Sequence, residues 1–376
     1  MARLSGVKPG DMEFSWMERF DVSIYNAVST EQLRGLRDRM FFELRPSLFD
    51  DVTDWNRCMN EAHDRLIAGT IALAEQTLRL EGYGTPPVPY AFLAVGSAGR
   101  MEQTLWSDQD NAIVFAEPPP DQRGEAETYF RQLAERVFEW LQAAGYPPCP
   151  GNVLCTNPQW RKTKAEWGDM LKEWISDPEW ESVRYLLMIA DMRCLYGDRQ
   201  LADELRGEYR SLTTDNPALF EHMLQNTLHH KITLGVLGNI ITERYGQDAG
   251  SFDVKYGAYI PLVNGIRLLA LVNGITASST LERLDALESN NAYPAELIER
   301  WREAFVIALE LRSMAQHEKN GDIYSSRGML DPETLTKTNK RRLKRCLRAG
   351  SGLQQAVGRT VQKIIEAVPK KRGGSA

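Results

Sequence analysis

The chain has 376 residues, 43% of them hydrophobic and 26% charged, which excludes a disordered tail and leaves room for two or three domains. Forty-five Lys and Arg against 51 Asp and Glu give a net charge of −6, which excludes a surface built throughout to coat nucleic acid. The charge is uneven: Lys337 to Arg372 carries twelve basic residues against one acid, Glu366, and leaves the rest of the chain at −17.

Residues 1–85 read as helical, because Leu33, Leu36 and Met40, then Leu66, Ile67, Ala74 and Leu78, recur at helical spacing between charges. Three prolines and two glycines in Glu81 to Pro89 break that pattern. The period then changes. Tyr90 to Val95 and Asn111 to Ala116 are short apolar runs that predict buried strands. A helix over Gly124 to Ala144 follows, then a third strand within Gly151 to Asn157, around Val153-Leu-Cys155. This is a small α/β unit. From Asn157 onward the pattern is helical. Stretches are predicted over Glu179 to Arg193, Pro217 to Tyr245, Tyr259 to Val272, Leu281 to Leu287 and Pro294 to Gln316. A final pair, Pro332 to Arg348 and Leu353 to Val368, is separated by Gly350-Ser-Gly352. The five cysteines are scattered without a Cys-x-x-Cys pair, so neither a disulfide framework nor a zinc site is expected. The start, Met1 to Gly6, lacks a signal-peptide run, and no apolar stretch approaches the roughly 18 residues of a membrane span. A cytoplasmic protein with no membrane partner is expected.

One segment carries chemistry: the strand from Phe92 ends in Gly96-Ser97, ten residues intervene, and Asp108-Gln109-Asp110 opens the next strand. Alternate strand residues face one side, so Asp108 and Asp110 project together. Their mutual repulsion would be relieved by a divalent cation. Mg²⁺, or Mn²⁺ in its place, binds one or two carboxylates together with substrate phosphates. Gly96 would let the backbone approach a phosphate, Ser97 would offer a hydroxyl and an N–H, and Arg100 a positive fork.

Gly96 to Asn111 resembles the DNA polymerase β-like nucleotidyltransferase superfamily, whose mark is an apolar strand, Gly-Ser, about ten residues and Asp-x-Asp. The longer string is similar to bacterial nucleotidyltransferases related to the PII-protein uridylyltransferase. Asn157-Pro-Gln-Trp160, Ala190 to Asp198, Phe252 to Lys255 and Ile266 to Leu271 are similar to the helical substrate-binding part of that group. The resemblance implies an α+β protein: a nucleotidyltransferase core with a mixed sheet over 86–158, a helical N-terminal segment over 1–85, and a larger all-α substrate-binding domain over 159–372. It implies metal-dependent transfer of NMP from an NTP to a protein or small-molecule acceptor, with signal transduction as the setting. The superfamily's third carboxylate, on a later strand, has no counterpart in Gly151 to Asn157. Asp191 is the candidate third acid, although a helical context would make it structural, paired with Arg193 or a neighbouring cation. The missing acid keeps open an NTP-binding regulatory sensor that does not turn over.

Several features have plainer readings. Trp160, Trp167 and Trp174 at seven-residue spacing would share one face of a single helix, and such indoles are packing residues before they are base stackers. His229-His230 reads as structural. Lys255 follows a Gly/Ser break and is a candidate substrate contact or a surface cation. The basic C-terminal helices could bind RNA or DNA, but apolar residues among the charges favour packing and an acidic partner surface.

Overall fold

Capping and apolar spacing together set the N-terminal helices. In the computed structural model these are α1 (Pro9–Tyr25), α2 (Thr30–Glu43) and α3 (Val52–Leu80). Ser29 accepts from the Gln32 N–H and Asp51 from the Thr53 N–H, which satisfies donors that each helix start leaves unpaired. The structure describes residues 9–46, 49–235, 239–320 and 323–367, with side chains from residue 16 onward except at 319–320 and 323–324. The expected signal-free start at Met1 to Gly6, part of the predicted 217–245 helix and the basic residues Lys370, Lys371 and Arg372 lie outside the described residues.

The chain divides into two units: residues 1–167, 193–203 and 317–326 form the first, and 168–192, 204–316 and 327–376 the second. In the first, β1 (Tyr90–Ala94), the single turn α4 (Gly96–Gly99), β2 (Asn111–Phe115) and α5 (Arg123–Ala143) are followed by β3 (Arg161–Thr163) and β4 (Arg193–Gly197). The sheet order is β3-β2-β1-β4. Antiparallel pairing of β1 with β2 and β4, and parallel pairing of β2 with β3, make it mixed. Tyr90 opposes Phe115 and Phe92 opposes Ile113. These four side chains join one apolar cluster with Trp55 and Leu66 of α3 and Leu133 and Val137 of α5. Each such fully buried side chain contributes roughly 1.5 to 3 kcal/mol, so the cluster anchors the sheet to its helices.

Two strand expectations change. Val153 and Cys155 are buried, but not as a ladder. The Asn111 N–H donates to the Val153 carbonyl, and the Cys155 N–H to the Asn111 side chain. The apolar run marks packing against the head of β2, and the true third strand starts six residues later. The helix predicted to Arg193 ends at Ile189, and Arg193 to Gly197 becomes the edge strand β4.

The second unit is helical, which makes the whole α+β. Its helices are α6 (Lys164–Ser176, whose first turn lies in the first unit), α7 (Trp180–Ile189), α8 (Arg199–Thr214, begun likewise), α9 (Leu219–Thr227), α10 (Ile260–Val272), α11 (Thr280–Ser289), α12 (Ala295–Ser313) and α13 (Lys337–Ala367). In this unit strand β5 (Phe252–Asp253) pairs with a strand at Met329–Leu330, β8, while the hairpin of β6 (His317–Asn320) and β7 (Ile323–Ser326) between them belongs to the first unit. The predicted 217–245 helix stops at Thr227. Helix α13 runs straight through Gly350-Ser-Gly352, where a break was expected. A Cβ at Gly350 would lie 2.5 Å from Ile232 Cδ1, so this glycine serves close packing and not a turn.

The three indoles do not share a helix. Trp160, in a short 3-10 turn, and Trp167 meet edge to face at 5.8 Å, with Trp167 Nε1 donating to the Ile113 carbonyl, while Trp174 packs on Tyr185. All are packing residues. His229 and His230, just past α9, pack on Trp180 and Tyr256. Among the described residues no helix is long and apolar enough to cross a membrane.

Candidate functional site

The turn after β1 is built around Gly96, which sits at φ +58°. A Cβ there would lie 2.7 Å from Asp110 Oδ2, so the residue is glycine for two reasons: the left-handed backbone and the carboxylate pressed against it. Gly96→Val is expected to destabilise the fold by roughly 2 to 5 kcal/mol, combining left-handed strain with overpacking. Urea unfolding beside Ser97→Ala checks this, and wild-type stability in the valine variant would contradict it. Ser97, half-buried, stands on the same single turn.

The loop from this turn to Asp108 is held by side chains of α2 and α3. Asn56 and Asn60 Nδ2 donate to the Gln103 carbonyl, and the Gln103 N–H donates to Asn60 Oδ1. His63 Nε2 faces the Thr104 carbonyl at 3.1 Å, which can only accept, so this nitrogen carries the proton and Nδ1 accepts from the Tyr146 hydroxyl at 2.8 Å. Arg37, 3% exposed, donates to the Leu105 carbonyl and lies 3.4 Å over the Tyr146 ring. Sequence reasoning missed this clasp, although polar residues at 56, 60 and 63 on the apolar face of α3 were its signal.

Burial, reinforced by the Arg37 charge, pushes the His63 pKa down to about 3. The unfolded chain therefore takes up a proton below about pH 6.5 that the folded chain refuses. Stability is full above that value and falls by about 1.4 kcal/mol per pH unit toward 3, reaching about 2 kcal/mol near pH 5. Urea unfolding between pH 7 and 5 should show a steeper decline for wild type than for His63→Gln. Parallel declines would contradict it.

Asp108 and Asp110 flank Gln109, which forms a parallel bridge with Pro148, its N–H donating to the Pro147 carbonyl. That pairing brings Cys149 to the same place. One ligand atom from each of Asp108, Asp110 and Cys149 lies within 4.8 Å of the others, all half-buried. The Cys149 thiol is pushed up to about 12 by burial, by the Asp110 charge and hydrogen bond, and by Asp108. A cavity of about 20 Å³ next to this strand is mostly apolar, with Ile67, Phe92, Leu141 and Leu195 among its lining beside Gln103, Gln109 and the two aspartates. The donor set of two carboxylates and a thiol fits a divalent cation.

The remaining expected site residues stand apart from this group. Arg100 is 3% exposed and paired through Nε with Glu102 at 2.7 Å. Arg193 forms a two-pronged pair with Asp64 and donates to the Ala98 carbonyl, tying β4 to α3 and to the turn. Asp191 lies in the helical unit at 0% exposure. It is bonded by Arg267 Nε and Nη2 at 2.9 and 2.5 Å and by Arg283 Nη2 at 2.9 Å. Lys255 also lies in that unit, at the start of a π-helical turn, its ammonium 5.3 Å from the Tyr256 ring.

A mixed four-stranded sheet carrying a Gly-Ser turn and an Asp-x-Asp pair on adjacent strands defines the nucleotidyltransferase class. Residues 48–181 match the family model described as Putative nucleotidyltransferase DUF294, and residues 217–361 the one described as Putative nucleotidyltransferase substrate binding domain. The chain belongs to this nucleotidyltransferase family, with its C-terminal substrate-binding domain. No curated protein matches it.

Proposed function

We propose that the protein transfers NMP from an NTP to a protein or small-molecule acceptor, with Asp108 and Asp110 holding Mg²⁺ or Mn²⁺. The observation that carries this reading is the gathering of both carboxylates beside the left-handed Gly96 turn. The cation supplies charge neutralisation of the triphosphate and in-line orientation. Gly96 and Ser97 present backbone and hydroxyl to the phosphates. Arg100, already paired with Glu102, adds its charge from behind the turn. The acceptor nucleophile attacks the α-phosphorus, the bond to the bridging oxygen breaks, and pyrophosphate leaves with the electron pair. Residues 86–158 handle the nucleotide, with 1–85 bracing them. The helical part within 159–372 receives the acceptor, Lys255 offering a cation to an acceptor phosphate or carboxylate. Asp191 is a structural acid.

A second reading, an NTP-binding sensor without turnover, is favoured by one observation: the side chain that joins the two aspartates is Cys149 and not a third carboxylate. The test incubates the protein with each α-³²P-labelled NTP, Mg²⁺ or Mn²⁺ and bacterial lysate, alongside equilibrium NTP binding. Label transfer supports the enzyme. Binding without transfer supports the sensor, and absence of both removes the site.

A further inference from the structure

Helices α12 and α13 lie side by side in opposite directions. Arg342 pairs with Glu310, Arg345 with Glu303, and the Cys346 thiol donates to the Ala304 carbonyl, while Tyr293, just ahead of α12, shares a hydrogen bond with Thr360. Position therefore falls along α13 as it rises along α12, and that register brings Arg300 level with Arg348 and Ala349. Between the two helices is an open cleft of about 440 Å³, within the range that takes a metabolite-sized ligand. Leu297, Trp301, Ala304 and Ile307 line it as one stripe of α12, and Ala349 and Gly352 line it from α13.

Two further observations say what the cleft takes. Its charge is one-sided, because Arg300, Arg345 and Arg348 line it against a single acid, Glu303, which is already paired with Arg345. Arg300 and Arg348 are exposed and have no ion-pair or hydrogen-bond partner among the described residues. Two such guanidinium groups, level with each other across an apolar cleft, match a carboxylate or a phosphate, which accepts paired N–H donors from each. The other observation is a glycine. Gly352 stands inside α13, where glycine is the poorest helix former after proline, yet a Cβ built on it would meet no neighbouring element within 4 Å. Gly350 makes room for Ile232; Gly352 makes room for nothing in the molecule, and its missing side chain keeps the cleft open.

We propose that this cleft binds a small amphipathic anion, with its apolar body along the α12 stripe over Gly352 and its carboxylate or phosphate between Arg300 and Arg348. The floor favours a small ligand over an acidic peptide helix. Trp301, Ala304 and Ile307 are recessed, at 1 to 2% exposure, where a helix roughly 10 to 12 Å across cannot follow but a methylene chain or a single ring can. The site gives a use to part of the basic C-terminal run, and it rests on neither aspartate of the metal pair.

The test is calorimetry on the full chain with octanoate and octyl phosphate, with octanol and inorganic phosphate as the body and the head alone. Wild type should bind at least one of the two anions at a single site, the tighter one naming the head group. Octanol and inorganic phosphate should each bind at least about 10-fold more weakly. Arg300→Gln and Arg348→Gln should each weaken the anion about 10-fold or more and leave octanol unchanged. Gly352→Leu should lose binding while melting at or above the wild-type temperature, because leucine fills the cleft and is the better helix former. Asp110→Asn should bind as wild type does. Absence of saturable binding of either anion to wild type overturns the site, as does equal binding in Gly352→Leu and in the double arginine variant. So does single-site binding of an acidic amphipathic peptide helix, lost in Gly352→Leu, with both octyl anions ignored, since the cleft is then a protein-docking groove. Should Gly352→Leu not fold, the exposed arginine variants decide the matter against octanol.

Discussion

Asp110→Asn is expected to abolish nucleotidyl transfer while leaving the sheet folded, and Asp108→Asn to act in the same way. One ligand atom of each carboxylate stands within 4.8 Å of the other and of Cys149. Charge stabilisation by a metal is worth several kcal/mol at a phosphoryl transition state, and each 1.36 kcal/mol is tenfold in rate, so a loss of about 10³ or more is expected. The amide keeps the carboxylate's shape against Gly96, so its packing survives. Removing a negative charge from a crowded pair leaves stability level or slightly raised. Label transfer and thermal melting of both variants check this. Normal transfer in both, with folded protein, would take the pair out of the site.

The second large effect is on stability. Asp191→Ala would strand Arg267 and Arg283, 5% and 2% exposed, whose guanidinium groups now share one carboxylate. Breaking a buried pair by deleting one partner costs about 3 to 5 kcal/mol, because the charges left behind keep their desolvation penalty. Denaturant unfolding should show that loss, with divalent-cation affinity unchanged. Asp191→Asn should lose less, since the amide oxygen still accepts. The opposite result, wild-type stability with transfer eliminated, would make Asp191 the third catalytic acid.

The Gly96 to Asp110 string was legible because its chemistry lies in consecutive residues, with every member drawn from the residue types that phosphate and metal demand. Cys149 was not: it arrives almost forty residues later, placed by a single bridge to Gln109 that no periodicity announces. The α3 clasp was hidden for the opposite reason, since Asn56, Asn60 and His63 were overlooked within an otherwise sound helix. Strand β4 lost to the apolar helix before it, because four half-buried residues and an exposed glycine give no alternation strong enough to mark an edge. Gly350 misled in α13, since a glycine that admits a neighbour's side chain looks in sequence like one that ends a helix.

The first unit is assembled from three separated stretches, residues 1–167, 193–203 and 317–326. On the ribosome, β1 and β2 emerge well before β4, which pairs with the other side of β1. At roughly 5 to 20 residues per second, the hundred or so residues between them take about 5 to 20 seconds. During that interval one edge of β1 has its backbone donors and acceptors open, in a strand whose five residues end up entirely buried. Such an apolar edge is what chaperones shield and what neighbouring nascent chains zip onto. Slowing synthesis between residues 95 and 193 should therefore raise aggregation, whereas an equal pause after residue 200 should not.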